Sequence, residues 1–81
     1  MDLRFHPHAV ERMQERKLTV SEVQLILSFP DGRIRQTKDK VIFYKELDHR
    51  HDNFVAAVVI ESLSKELHEV ITVLVNFEVR K

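Results

Sequence analysis

The chain has no cysteine, one glycine and two prolines in 81 residues. Without cysteine, disulfides and thiolate metal sites are excluded, which fits a reducing intracellular compartment. So little glycine and proline leaves no room for a flexible linker or a low-complexity segment, and no internal repeat is visible. An excess of one charge is missing too: 13 Lys+Arg stand against 13 Asp+Glu, a formal net charge of +0. That removes the general electrostatic case for nucleic-acid binding, which starts from a basic surplus, and leaves only a local basic face to carry it. The longest apolar run, Phe54 to Ile60, is far too short to cross a bilayer. The stretch Met1-Asp2-Leu3-Arg4-Phe5-His6-Pro7 lacks the apolar region of a signal peptide, so a cytoplasmic protein with no membrane partner is expected.

What is present points to one folded domain over residues 1–81. A hydrophobic fraction of 43% with 32% charged residues is ordinary for a soluble globular chain, and the length allows one small core. Cores of this size without staples rely on well-packed elements or on a partner chain.

The spacing predicts a first helix from Pro7 to Arg16. Pro7 suits the first helical position, where its missing N–H costs nothing. At 100° per residue, Ala9, Val10 and Met13 form an apolar stripe. His8, Arg12 and Arg16 follow at i, i+4, i+8 as a polar ridge beside it, with Glu11 and Glu15 on the solvent side. A second helix starts at the capping box Thr19-x-x-Glu22, with Leu18 and Val23 placed for a hydrophobic staple. Its buried face is Val20, Val23, Ile26 and Leu27, and Ser28-Phe29-Pro30-Asp31-Gly32 ends it.

The remainder reads as sheet. Arg33 to Thr37 is a short polar strand near an edge, with a turn at Lys38-Asp39. Val41 to Leu47 alternates, Val41, Phe43 and Leu47 on one face and Ile42 and Tyr44 on the other. Phe54 to Glu61, apolar on both faces, is a central strand, and Leu67 to Val79 is a long last strand. Strict alternation puts Ile71, Val73, Val75, Phe77 and Val79 on one face of that strand and Val70, Thr72, Leu74, Asn76 and Glu78 on the other. Loops are expected at Asp48–Asn53 and Ser62–Glu66. The fold class is therefore α+β: two N-terminal helices packed on one face of an antiparallel sheet of about four strands, in the order α-α-β-β-β-β. Two helices cover one sheet face only. The other shows Val70, Leu74, Tyr44 and part of the Phe54–Glu61 strand, and an uncovered apolar face marks an interface with a second copy or another protein.

These features resemble a known group. His8-Ala9-x-x-Arg12-Met13-x-x-Arg16, a short break, a Thr-started helix, a Pro-Asp-Gly turn and a final Ile71-Thr72-Val73 strand are similar to a small prokaryotic domain-of-unknown-function family. That family is placed with the RelE-like toxins, in the barnase–EndoU–colicin–RelE fold group, and the resemblance covers nearly the whole chain. It implies a metal-independent RNA endonuclease, or an inactive relative, with no cofactor. It also implies membership of a toxin–antitoxin pair, the antitoxin lying over the exposed sheet face. The family's ridge carries over onto His8, Arg12 and Arg16.

The residues suit that chemistry. Cleaving RNA without metal needs a base for the 2′-hydroxyl, a cation for the charge at phosphorus and an acid for the leaving oxygen. Histidine is the acid–base group near neutral pH, and arginine is the planar, permanently charged phosphate clamp. Tyr44 is a further candidate, as a proton donor or a stacking surface, and Lys45, Thr72 and Asn76 are candidates for RNA contact. Each has a plainer reading. Arg12 pairs with Glu15 at i+3, Arg16 lays its stem along the core, and Tyr44 packs with its hydroxyl in water. Lys45 and Lys40 guard an edge, and Thr72 and Asn76 are the ordinary polar content of a half-exposed face. A non-catalytic homodimeric binding or scaffold domain is the corresponding alternative function, with Val70 and Leu74 in its interface. Asp48-His49-Arg50-His51-Asp52 has two histidines beside carboxylates but no rigidly held fourth ligand, so no metal is expected there. His6 and His68 receive no role.

Overall fold

The structure, a computed structural model, describes residues 2–48, 54–61 and 67–79. Helix α1 spans Pro7–Arg16 and helix α2 spans Val20–Ser28, each with the boundaries that its own residues dictate. Helix α1 ends in a Schellman turn. Lys17 takes the left-handed conformation (φ 57°), and Leu18 N–H donates to the Met13 carbonyl at 2.8 Å. The reciprocal capping box opens α2: Glu22 N–H donates to Thr19 Oγ1 at 3.1 Å, and Thr19 N–H donates to Glu22 Oε1 at 2.9 Å. Leu18 and Val23 are both buried in one cluster, as a staple requires. Val10 and Val20, which the helical periodicity assigns to buried faces, are 41% and 48% exposed instead. Ala9 and Met13 suffice to seat α1, and Val23, Ile26 and Leu27 to seat α2.

The sheet has five strands rather than four: β1 (Asp2–Phe5), β2 (Gly32–Arg35), β3 (Lys40–Glu46), β4 (Phe54–Glu61) and β5 (Leu67–Phe77). Their spatial order is β1-β5-β4-β3-β2. The additional strand, β1, runs parallel to β5 and pairs Asp2 to Phe5 with Leu67 to Val70. The other pairings are antiparallel. Among the described residues no helix is long and apolar enough to cross a membrane. The loops expected at Asp48–Asn53 and Ser62–Glu66 fall, apart from Asp48, outside the described residues.

Both helices lie on one face of the sheet, α1 over β5 and α2 over β3 and β4. The principal core gathers Ala9, Met13, Val23 and Ile26 from the helices with Val41, Phe43, Val55, Ala57, Val59, Val70 and Val73 from the sheet. The opposite face carries a second cluster of Ile42, Ala56 and Val58, packed against Tyr44, Ile71 and Phe77.

Strand β5 does not keep the alternation that its sequence suggests. Val58 faces Thr72 but Val59 faces Val70, so Ile71 is an extra residue, and a second shift between Phe54 and Ala56 coincides with left-handed Asn76 (φ 53°). Each bulge changes which face the following residues take. Val70 therefore points into the helix-covered core with Val73, and is fully buried. It is not part of an exposed interface. Ile71 and Phe77 turn to the open face, opposite to the side that strict alternation shares with Val73.

Gly32 is held by packing. It pairs with Tyr44 across β2 and β3, and a Cβ there would meet the Tyr44 hydroxyl, Cζ and Cε2, the last at 2.8 Å. The ring lies over the glycine and against Phe54 (centroids 5.0 Å apart, 79°), an aromatic covering a strand glycine. Gly32→Ala should cost about 1–3 kcal/mol in urea denaturation, the usual penalty of overpacking. The same change in a Tyr44→Ala background should cost much less, because the obstructing ring is gone.

Candidate functional site

Helix α1 fixes the site through its own packing. Ala9 and Met13 are pinned in the core, so the ridge four residues apart must emerge along one flank of the helix. There His8, Arg12 and Arg16 line one cleft of about 380 Å³ with Thr72, Val73, Leu74 and Val75 of β5. The cleft exists because β1 is short. It pairs with β5 only as far as Val70, and His6 N–H makes the last bond, to the Val70 carbonyl at 3.0 Å. The chain then turns into α1, and beyond Val70 no described strand flanks β5 on that side.

Among the described residues the lining carries two guanidinium groups, one imidazole and no carboxylate. Arg12 Nη1 donates to Glu15 Oε2 at 3.1 Å. This is the i,i+3 pair of the plainer reading, on side chains 41% and 46% exposed. Exposed pairs of this kind are worth about 0.2–1 kcal/mol, so Arg12 exchanges Glu15 for another anion at little cost. Val73 and Val75 are in phase with the helix-covered core, whereas Thr72 and Leu74, which pair with Val58 and Ala56 of the open-face cluster, meet the cleft along the unpaired edge of β5.

The other candidates lie elsewhere. Tyr44 sits on the opposite sheet face, packed with Phe54 and Phe77, so it does not join His8, Arg12 and Arg16. Alternation along β3 decides this: Tyr44 follows Ile42 to the side that no helix covers, and α1 is on the other. Lys45 is two strands away from β5, with Nζ 3.8 Å from Asp31 Oδ1. Asn76 is exposed at the second bulge, just past the cleft. The metal-like reading of Asp48–Asp52 falls outside the described residues except for Asp48, which is exposed.

Two histidines without an assigned role have partners. His6 Nε2 lies 2.9 Å from Glu69 Oε2 in a half-exposed pair. His68 is buried, its Nε2 3.3 Å from Glu61 Oε2 and its ring edge-on to Phe43. Glu61 Oε1 in turn accepts from Arg35 Nη2 at 3.3 Å, and Arg35 Nη1 donates to the Lys38 carbonyl at 2.7 Å. This row ties β5, β4 and β2 together on the helix-covered face of the sheet. His68 Nδ1 is buried with no hydrogen-bond partner among the described residues. The signal for His68 is in the sequence: it is two residues from Val70, in phase with a core position. Glu61→Ala should lower stability by about 1–3 kcal/mol in urea denaturation, because it strips the buried His68 ring of the carboxylate partner it has there. Glu61→Gln, which keeps an acceptor, should recover most of that loss.

A family model described as "Domain of unknown function (DUF4258)" matches residues 5–75. No curated protein and no solved structure matches the chain. The matched span runs from the last residue of β1 through α1, α2 and the cleft-lining part of β5, and so takes in every residue of the candidate site. The chain belongs to this family of domains of unknown function.

Proposed function

We propose that the chain is a RelE-like, metal-independent RNA endonuclease whose site is the α1–β5 cleft. The observation that carries this reading is that His8, Arg12 and Arg16 line one cleft with no carboxylate among its described lining residues. In this reading Arg12 and Arg16 hold the non-bridging oxygens of one phosphate and stabilise the charge that grows on them. His8 takes the proton of the 2′-hydroxyl. The 2′ oxygen attacks phosphorus, the bond to the 5′ oxygen breaks, and a 2′,3′-cyclic phosphate forms. The leaving oxygen takes a proton from water, and His8 returns its own to solvent. Tyr44 and Lys45 have no part, since neither lines the cleft. The absence of cysteine suits a cytoplasmic location for such an enzyme.

The test is cleavage of purified bulk RNA in the presence of EDTA by the wild type and by Arg12→Ala in parallel. Wild-type cleavage should fall about 10²–10³-fold on removing one oxyanion-stabilising group. Equal rates from the two proteins would place the activity elsewhere or in a contaminant, and the cleft would lose its role.

A second reading rests on a different observation. The open sheet face presents Leu74 and Ile34, each 38% exposed, around the apolar cluster of Ile42, Ala56 and Val58. A non-catalytic homodimeric binding domain, or a toxin held by an antitoxin on this face, would cover it. Ile34→Asp should then convert a dimer to a monomer in light scattering while the circular dichroism stays unchanged. A wild type that is already monomeric at tens of micromolar would remove self-association from this reading.

A further inference from the structure

Past Val70 the edge of β5 is open, and the backbone groups that it presents follow from alternation. His6 N–H donates to the Val70 carbonyl at 3.0 Å, so the backbone groups of Val70 point to the β1 side. Glu61 N–H donates to the Asp39 carbonyl at 2.8 Å, so those of Glu61 point to the β3 side. Along β4, Val59 and Ala57 share the direction of Glu61, and Val58 and Ala56 turn their N–H and carbonyl groups to β5. Their partners there are Thr72 and Leu74. Val73 and Val75 therefore direct their N–H and carbonyl groups outward, along the line that β1 leaves at Phe5. Among the described residues no strand occupies that line beyond Phe5. The bulges at Ile71 and Asn76 bound this stretch of edge.

Sheet edges are commonly blunted by a lysine, a proline or a covering element. Thr72-Val73-Leu74-Val75 carries no charge and no proline, and the ridge of His8, Arg12 and Arg16 stands beside it. A strand added to this edge alternates in step with β5. Its residues in register with Val73 and Val75 project to the helix-covered side, where the cationic ridge is. The residue in register with Leu74 projects to the open face, beside a leucine that is 38% exposed. Acidic and apolar side chains in alternation suit both sides. A second copy of β5 does not, because pairing the two edges brings two cationic ridges together. Phosphates offer only acceptors, which leaves the carbonyls of Val73 and Val75 unmet, whereas a peptide backbone supplies a donor and an acceptor per residue.

We infer that the β5 edge at Val73–Val75 takes a short extended segment of a partner protein, acidic at every second residue and apolar between, as an added strand beside the α1 ridge. Main-chain hydrogen bonds supply the affinity, and the alternate carboxylates, facing Arg12 and Arg16, supply the specificity. The cost at Arg12 is small, since its pair with Glu15 is exposed. The inference goes beyond RNA cleavage and does not depend on it: a strand in this place closes the cleft whatever reaction the cleft performs.

The probe is a capped short peptide of alternating glutamate and valine, titrated against the full nitrogen-15-labelled chain. In hydrogen exchange followed by NMR, the Thr72 and Leu74 amides, which face β4, should exchange slowly with or without peptide. The Val73 and Val75 amides should exchange quickly alone and at least about tenfold more slowly with saturating peptide. By fluorescence anisotropy, a peptide of the same composition with its glutamates and valines in two blocks should bind at least about tenfold more weakly. The alternating peptide with two adjacent central amides N-methylated should lose at least as much. Arg12→Ala should weaken the alternating peptide about two- to fivefold, the range for an exposed ion pair. A block peptide that binds as well, or binding that leaves Val73 and Val75 unprotected, would reduce the contact to charge alone and overturn the inference. Absence of peptide binding would overturn it too. Protection in the wild type alone that fades on dilution would assign the edge to a second copy. Protection by a 2′-O-methyl uridylate strand and not by the peptide would assign it to nucleic acid. Either result overturns the inference, and the RNA reading stands or falls separately on its cleavage test.

Discussion

Strand β5 has to serve two neighbours of unequal length, and most of the molecule follows from how it does so. On one side β4 accompanies it from His68 to Phe77. On the other, β1 accompanies it for four residues and stops at Phe5. The chain cannot go on as strand there, because Pro7 lacks an N–H for the ladder and is ready-made for the first turn of a helix. Helix α1 therefore rises from the sheet edge at the point where β5 becomes unpaired. Its apolar stripe lands on the Val70–Val73 side of β5 and its cationic ridge faces the unpaired length. The cleft is the space that a four-residue strand leaves beside an eleven-residue one.

The bulges at Ile71 and Asn76 make this arrangement workable. Without the first, Val70 and Val73, an odd number of residues apart, would fall on opposite faces. With it, both enter the core under α1. The residues gained by the open face, Ile71 and Phe77, extend the apolar cluster around Ala56 and Val58. The two bulges thus deepen the covered core and enlarge the uncovered patch together.

Legibility in the sequence follows the same physics. Both helices were readable because capping chemistry and the helical period act within a few residues: Thr19 with Glu22, Pro7 at the start, Ala9 with Met13. Strand β4 was readable because Phe54 to Glu61 is apolar throughout. Strand β1 was not, since Asp2-Leu3-Arg4-Phe5 offers two apolar side chains and forms only against a partner more than sixty residues away. The faces of β5 were not readable either. Val70-Ile71-Thr72-Val73-Leu74-Val75 is made of strand-forming residues throughout, so a bulge leaves no mark in the side-chain pattern. The ridge of His8, Arg12 and Arg16 was visible from helical spacing alone. Whether Tyr44 could join it depended on which sheet face α1 covers, and alternation assigns two faces without saying which one a helix will take.

A chain with no net charge still builds an electropositive cleft, and the pairing of its acids explains how. Glu61 is shared between His68 and Arg35, Glu69 is held by His6, and Asp31 lies beside Lys45. Each of these pairs sits away from the α1 ridge. Glu11 and Glu15 ride on the same helix, but outside the set of side chains that line the cleft. At physiological salt, charges separated by more than about 8 Å are largely screened from one another in solvent. The field at a bound phosphate is then set by the lining side chains and by Glu15, 3.1 Å from Arg12, and hardly by the total. A formal charge of zero consequently argues against long-range steering of RNA toward this protein, and not against holding a phosphate once a strand has reached Arg12 and Arg16.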